Sequence, residues 1–166
     1  MSVNFSNNFV SFYGSPAVAM QSAAEAQHEY TQMRSRARFK QLWNRLTRKS
    51  ENLHDLGRDM ARCAEVGGHY AGVPTVQLRK IYGSEGRNLD FDREFNPRHD
   101  GTQQRWKGIY TAWQNGVVLP PVELIQVGEG YYVRDGHHRI SVARALGHEY
   151  IDAVVYDLTL GACEIR

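Results

Sequence analysis

Apolar residues recur at helical spacing in the first third of the chain. Residues 17–49 contain no Gly or Pro and are rich in Ala, Gln, Arg and Glu, which favour helices. Four large apolar residues stand at i, i+3, i+4 and i+7: Phe39, Leu42, Trp43 and Leu46. This pattern predicts an amphipathic helix whose apolar stripe packs on the core of the protein.

A second helix is predicted immediately after the first. Ser50 is a typical N-cap residue, and Gly67-Gly68 is a typical helix stop. The apolar residues between them keep helical spacing: Leu53, Leu56, Met60 and Ala64. Residues 16–70 are therefore expected to form a helical extension, preceded by an Asn- and Ser-rich disordered arm at residues 1–15.

Beyond Gly72 the pattern changes to short apolar runs separated by turn residues. "VPTVQL" predicts a strand with Pro74 at its start, and the polar stretch from Tyr82 to Gly101 predicts a loop. A helix follows between Thr102 and Gly116, then two strands around the turn at residues 128–130. A helix over residues 138–146, stopped by Gly147, and a final strand, "YIDAVVYDL", complete residues 71–166. These elements predict an α+β domain, in which helices pack on a small mixed sheet.

Composition narrows the class of protein. The 166 residues are 42% hydrophobic, which suits one compact domain, and the net charge of +2 demands no polyanionic partner for the whole surface. Cys63 and Cys163 are isolated thiols, which fits a reducing compartment. No stretch approaches the ~20 apolar residues that span a bilayer, and the N-terminus lacks the features of a secretory signal. We therefore expect a soluble, cytoplasmic protein with no membrane partner.

The most distinctive chemistry lies between the last two predicted strands, in the motif Asp135-Gly136-His137-His138-Arg139. A strand that passes directly into a helix presents the first free backbone N–H groups of that helix to a ligand. Gly136 permits close approach, His138 adds a hydrogen-bond donor, and Arg139 adds a bidentate cation. Asp135 would either cap the helix or hold Mg²⁺. The alternative is an ordinary polar turn; a zinc site is disfavoured because adjacent helical histidines diverge.

The sequence from Leu119 to Val155, with "RDGHHRISVARALG" at its centre, resembles the ParB/sulfiredoxin superfamily, and "VPTVQLRKI" resembles the first strand of that fold. In the partition proteins of this superfamily the corresponding Gly-Glu-Arg-Arg motif contacts the phosphates of CTP. The resemblance therefore implies a nucleoside triphosphate, ATP or CTP with Mg²⁺, on Gly136, His137, His138 and Arg139.

Enzymes of the superfamily suggest alternatives. Sulfiredoxins carry Gly-Gly-Cys-His-Arg, so His138 and Arg139 match, but His137 replaces the reactive cysteine. The resemblance therefore implies no sulfinic-acid reduction. Free-serine kinases carry a similar Asp-Gly-His motif, and other relatives are described as ParB-like nucleases, so phosphoryl transfer and nuclease activity stay open.

An enzyme of either type needs an acidic residue beside the motif. Asp135 is one candidate, and the loop after the first strand offers Glu85, Asp90 and Asp92 as a general base or Mg²⁺ ligand. Each of these could equally be a solvated loop carboxylate. Arg87 and Arg144 are candidate second phosphate ligands, although Arg144 lies five residues beyond the motif arginine and could face elsewhere.

The predicted first helix also carries a basic run, "RSRARFKQLWNRLTRK", without any acidic residue. Its cations could contact the phosphates of DNA, or could simply form a solvated face: Arg34, Arg38, Arg45, Arg48 and Lys49. No helix-turn-helix follows the ParB-like region. The leading hypothesis is a nucleotide-binding, DNA-associated or regulatory protein, such as a transcriptional regulator. The alternatives are an enzyme of the same fold, or an interaction module that dimerises through its N-terminal helices and whose site is vestigial.

Overall fold

The computed structural model describes residues 16–47, 52–61 and 66–160. The helices are α1 (Pro16–Thr47), α2 (Leu56–Met60), α3 (Gln103–Gln114) and α4 (His137–Ala145). The strands are β1 (His54–Asp55), β2 (Val66–Gly72), β3 (Thr75–Gln77), β4 (Ile81–Ser84), β5 (Val122–Val127), β6 (Gly130–Asp135) and β7 (Tyr150–Leu160). Short 3-10 turns occupy Leu78–Lys80 and Asp100–Thr102.

A mixed sheet organises the described residues, with strand order β1-β4-β6-β5-β7-β2 and β3 paired to β7. Strands β1 and β4, β4 and β6, and β5 and β7 pair in parallel. The hairpin β5-β6, together with the β2-β7 and β3-β7 pairs, is antiparallel. The α+β class predicted from the sequence is thus confirmed.

Side chains alternate between the two faces of the central strands. On β6, Val133 packs into the main core, whereas the adjacent Tyr132 packs against Leu56 of α2 on the opposite face. The main core also contains Ile140 of α4, which is fully buried. Because successive side chains of a strand point to opposite faces, the hairpin contributes both to the main core and to the apolar cluster under α2 on the other face of the sheet.

Helix α1 has the predicted type and nearly the predicted bounds, but the face predicted to pack on the core is wrong. Ala26, Tyr30 and Met33 are buried against α3, and the Tyr30 and Trp106 rings lie edge to face at 5.5 Å. The expected stripe lies outside instead, with Phe39 72% exposed and Leu42 and Trp43 each 61% exposed. Small residues such as Ala26 let α1 approach α3 closely, and hydropathy spacing alone missed this face.

The predicted second helix is also largely wrong. Between Asn52 and Ala61, the part of this stretch that the structure describes before β2, only Leu56–Met60 is helical. Asp55 is its N-cap and accepts a hydrogen bond from the Arg58 backbone N–H at 2.9 Å. Gly67 and Gly68 do not stop a helix, because they lie in β2, which pairs with β7. The sheet therefore extends across the proposed boundary at residue 70, and the helical assignment fails at residues 66–70. Long-range strand pairing outweighs the local helical pattern here.

Elements beyond Gly72 follow the prediction more closely. The helix between Thr102 and Gly116 and the hairpin around residues 128–130 are confirmed, as are the last helix and strand. Gly116 and Gly147 adopt positive φ angles of 72° and 76° at the helix ends. One strand was missed: Ile81–Ser84, assigned mostly to a loop, forms β4.

Several predictions fall on parts of the chain that the structure does not describe. These are the arm at residues 1–15, the cap Ser50 and the thiols Cys63 and Cys163. The division into arm, extension and domain stays a prediction. Within the described ranges, none of the helices combines the length and hydrophobicity that a bilayer crossing requires.

Candidate functional site

The motif lies where two neighbouring parallel strands end. Ser84, the last residue of β4, is in register with Val133 of β6, and β6 ends two residues later at Asp135. Helix α4 begins at His137, so the loop after β4 and the first turn of α4 share one edge of the sheet. Carboxyl ends of parallel strands are where open mixed and parallel sheets commonly place ligands.

Gly136 makes the tight passage from β6 into α4 possible. Its φ of 98° is left-handed, and a Cβ at this position would lie 2.5 Å from Val122 Cγ1. Gly136 is itself the N-cap of α4 and no side chain caps the helix, so the prediction that Asp135 caps it is wrong. The first N–H groups of a helix have no intrahelical acceptor, and here they are left to a ligand or solvent.

A small basic cleft opens at this helix start. Its volume is about 80 Å³, and it is lined by residues 135–139 together with Arg87, Arg105 and Ile109. Arg87 comes from the loop after β4, as expected, and keeps 48% of its side chain exposed. Arg105 is exposed on the first turn of α3 and was not predicted. Two arginines from separate elements therefore face the positive end of the α4 dipole.

His137 links α4 to the end of β4. Its Nε2 lies 2.8 Å from Ser84 Oγ, which accepts hydrogen bonds from the backbone N–H groups of Gly86 and Arg87 at 3.3 and 2.8 Å. Both lone pairs of that oxygen are thus used, and we infer that the hydroxyl proton is donated to Nε2. Burial, reinforced by the Arg87 charge, lowers the pKa of His137 to about 4, so the ring is neutral near pH 7.

His138 is also neutral, but one of its two ring nitrogens lacks a hydrogen-bond partner among the described residues. Burial, together with the charges of Arg105 and Arg87, lowers the pKa of His138 to about 4. The ring lies edge-on to Phe91 at 5.1 Å and lines the cleft. Its buried Nδ1 finds no hydrogen-bond partner among the described residues. An unpaired buried polar atom of this kind favours a ligand or water that could satisfy it.

The motif arginine is committed to the protein itself. Arg139 donates to the carbonyl oxygens of Pro120 and Pro121 at 2.5 and 2.7 Å and to Asp135 Oδ2 at 2.6 Å. Only 14% of its side chain is exposed. The guanidinium that was predicted to grip a phosphate therefore holds the loop before β5 onto the start of α4, and it borders the cleft without a free fork.

Arg144 is not brought to the cleft, in contrast to its predicted role as a ligand there. Its guanidinium donates to the carbonyl oxygens of Leu78 and Ile81 at 2.7 and 2.8 Å and lies 4.8 Å from the Phe95 ring centre. It lines a separate cavity of about 450 Å³ beside the turn at residues 147–150. Five residues along a helix correspond to about 500°, which directs this side chain away from Arg139.

The candidate acidic residues lie in different places and have different partners. Asp135 lines the cleft, whereas Glu85 pairs with Arg134 at 3.0 Å and Asp90 lies 3.9 Å from Arg87. Asp92 is buried and accepts two hydrogen bonds from Asn96, so it shapes its own turn. The described residues include no group of three or more Asp, Glu, His or Cys that could hold a metal.

Of the predicted DNA-contacting cations, the structure describes the side chains of Arg34 and Arg38, and their surroundings differ. Arg34 is turned inward, where it pairs with Asp100 at 2.7 Å and donates to the Pro97 carbonyl at 2.9 Å. Arg38 remains 67% exposed and lies 3.7 Å from Asp100. The Arg45 side chain, Arg48 and Lys49 lie outside what the structure describes. Arg34 is consequently a structural cation that anchors α1.

Solved structures that are similar to part of this chain include two proteins at 22% identity. No family model and no curated protein matches this sequence. A sulfiredoxin from Arabidopsis thaliana aligns with a TM-score of 0.39 and 22% identity over 50% of this chain and 82% of the sulfiredoxin. A conserved hypothetical protein from Pyrococcus furiosus aligns with a TM-score of 0.37 and 22% identity over 54% of this chain. This chain spans 34% of that second protein.

Two residues of the site escaped sequence reasoning: Ser84, which contacts His137, and Arg105, which lines the cleft. Ser84 was assigned to a loop, although the apolar run that ends in a Ser before Glu-Gly would have suggested a strand end. Arg105 gave no signal of its own, because a cation one residue before a buried Trp106 is an ordinary helix pattern. Only the packing of α3 beside α4 brings Arg105 to the motif.

Proposed function

We propose that this protein binds the phosphate group of a nucleotide in the cleft at the start of α4. The observation that carries the proposal is that Arg87 and Arg105, from separate elements, line the same cleft as the uncapped N-terminus of α4. Free N–H groups, a helix dipole and two cations together form a favourable site for a phosphate. The resemblance of the motif to the ParB/sulfiredoxin superfamily supports the same ligand class.

The dimensions of the cleft limit which part of the nucleotide it can enclose. About 80 Å³ is equivalent to two or three water molecules at roughly 30 Å³ each. A single phosphate group suits this space, so the base and sugar would lie outside it. Mg²⁺ would arrive with ATP or CTP, bound mainly by the phosphates, with Asp135 as the one carboxylate of the cleft able to assist.

Binding is proposed in preference to catalysis. Asp135 accepts from Arg139, and Glu85 accepts from Arg134, so these two candidate bases are already hydrogen-bonded to arginines of the protein. A free-serine-type kinase or a nuclease is the alternative. We propose that the nucleotide-bound protein associates with DNA or has a regulatory role.

Calorimetric titration with ATP, CTP and ADP in the presence of Mg²⁺ would test the binding. We expect Arg105→Ala to lower the affinity for the nucleotide by at least about tenfold, because a charge-assisted contact is lost. Lys107→Ala is the matched control: it removes a cation from the same helix, two residues away, and should leave affinity unchanged. If no nucleotide binds, or if Arg105→Ala binds as the wild type does, the phosphate site is refuted.

Turnover assays would distinguish a protein that only binds nucleotide from an enzyme of the same fold. Incubation with nucleotide and serine, or with plasmid DNA and Mg²⁺, should give no product if the protein only binds. Product that disappears in Asp135→Ala would instead establish the enzyme. The interaction module with a vestigial site would be favoured by two results together. Nucleotide would leave the behaviour of the protein unchanged, and removal of residues 1–49 would abolish a dimer.

A further inference from the structure

Helix α1 carries two apolar faces on opposite sides. Taking Ala37 as the centre of the buried face, Ala26 and Tyr30 lie within about 20° of it, at about 100° per residue. Leu42, Phe39 and Trp43 lie at about 140°, 200° and 240° from the same centre. We call these three residues the outer stripe; Leu46 continues its spacing in the sequence. The protein's own core lies on one side of α1, so it cannot cover the other.

Burial along α1 also ends before the helix does, among the side chains that the structure describes. Ala37 is the last residue of α1 recorded as buried, and every described side chain after it is exposed. The helix nevertheless continues to Thr47, about 15 Å further at 1.5 Å per residue. The outer stripe therefore lies on the segment of α1 that follows its last buried residue, and its three side chains are each more than 60% exposed in the described structure.

Cations flank the outer stripe on both sides. Arg38 lies about 100° from Ala37, on one border of the stripe, and Arg36 lies about 260° from it, on the other. Both are exposed, and the sequence contains no acidic residue between Glu29 and Glu51. The basic residues in this interval are Arg34, Arg36, Arg38, Lys40, Arg45, Arg48 and Lys49. Of these, Arg34 is neutralised internally by Asp100 at 2.7 Å, and Arg38 lies 3.7 Å from the same carboxylate while remaining 67% exposed.

We propose that this end of α1 lies on an anionic lipid surface, with the outer stripe inserted among the headgroups and the flanking cations paired with lipid phosphates. Trp, Phe and Leu on one sector with Lys and Arg at its borders is the composition of helices that lie in a membrane interface. Long cationic side chains beside such a sector reach the headgroups while their stems stay in apolar surroundings. A contact of this kind needs no spanning helix, and it would overturn the expectation that no membrane is involved.

Two other occupants fit the observations less well. A second copy of α1 would bring like charges together along both borders of the stripe, which is unfavourable. A single-stranded nucleic acid could stack bases on Phe39 and Trp43, but Leu42 would then contribute nothing to binding. The alternation of aliphatic and aromatic residues is better explained by insertion into lipid.

Vesicle co-sedimentation of the full-length protein would test the proposal. We expect binding to vesicles of phosphatidylcholine with about 30% phosphatidylserine, no binding to phosphatidylcholine alone, and weakening as NaCl rises from about 0.1 to 0.5 M. The double variant Phe39→Ser/Trp43→Ser should lose at least about tenfold in partition, because two apolar side chains no longer insert. Circular dichroism of the variant checks that the helix is intact.

Met20→Ser is the matched control, because Met20 is 76% exposed on the same helix but lies outside the outer stripe. It should bind vesicles as the wild type does, and so should Arg105→Ala, which keeps this test independent of the nucleotide site. The proposal is overturned by absence of binding to the anionic vesicles, or by equal binding of the double variant. It is also overturned if the stripe variant instead abolishes a dimer in sedimentation equilibrium, or binding to oligothymidylate, while vesicles are ignored.

Discussion

Two pairs of arginines, one on helix α4 and one on other elements beside it, differ in what their guanidinium groups contact. The pinned arginines, Arg139 and Arg144, lie on α4 itself and donate to backbone carbonyls of other segments. The cleft arginines, Arg87 and Arg105, lie on other elements and face the start of α4. A cation inside a recognisable motif can thus be structural, while the cations available to a ligand come from elsewhere in the chain. Only the surroundings of a guanidinium, rather than its place in the sequence, distinguish the two uses.

Arg144→Ala should give the largest effect on stability. Removal of the guanidinium takes one donor from the Ile81 carbonyl and one of the two donors from the Leu78 carbonyl, and it exposes the Phe95 face. We expect these losses to lower the free energy of unfolding by about 3 kcal/mol. Urea denaturation measures the change. Arg105→Ala serves as the control and should stay within about 0.5 kcal/mol of the wild type. Equal destabilisation by both variants would abolish the distinction between pinned and cleft arginines.

Acid should reveal what burial, reinforced by the cleft arginines, does to the pKa values of His137 and His138. The pKa values of His137 and His138 fall from 6.5 to about 4 on folding, so the unfolded chain takes up protons first as the pH drops. Stability is therefore fully present above pH 6.5 and is lost as the pH falls toward 4. Between pH 7 and 5.5 the two histidines should together cost about 2.5 kcal/mol of unfolding free energy.

Urea denaturation at the two pH values, with NMR titration of the histidine ring protons, would check this loss. His138→Asn should remove about half of the pH dependence. Arg105→Ala should raise the pKa of His138 toward its ordinary value, because a neighbouring positive charge is removed. Rings that titrate normally, near pH 6.5, would contradict the prediction.

Ser84→Ala should have the smallest effect of the three. The change removes the partner of His137 Nε2 and the acceptor for two backbone N–H groups, at a cost of about 1 to 2 kcal/mol. Thermal or urea denaturation measures it, and ¹⁵N shifts of the His137 ring report its tautomer. Ser35→Ala, an exposed serine that donates to the Thr31 carbonyl, is the matched control. Unchanged stability and tautomer would mean that Ser84 does not orient the ring.

The part of the fold that the sequence predicts well is the part whose elements are punctuated locally. Gly116 and Gly147 end helices, the turn at residues 128–130 joins two strands, and these features need only neighbouring residues. By contrast, β2 contains Gly67 and Gly68 and becomes a strand through pairing with β7, about ninety residues away in the chain. Local spacing carries no information about such a partner.

The site shows the same limit. The position of the motif at a strand–helix junction could be predicted, because Asp-Gly before an apolar period is a local pattern. The direction in which each charged side chain points could not. Arg139 meets Pro120 and Pro121, and Arg105 meets the cleft, only because the loop before β5 and helix α3 pack beside α4. Sequence spacing likewise gave α1 an apolar stripe without telling which of its sides faces the core.

The pairing of β7 bears on how the chain folds during synthesis. This strand, at Tyr150–Leu160, hydrogen-bonds with β2, β3 and β5, and hence joins segments that the ribosome makes early to one that it makes late. Strands β2 and β3 are left without this partner until β7 emerges. Long-range pairing of this kind slows folding and prolongs the exposure of strand edges. Nascent chains halted before residue 150 should therefore depend on chaperones far more than the finished protein.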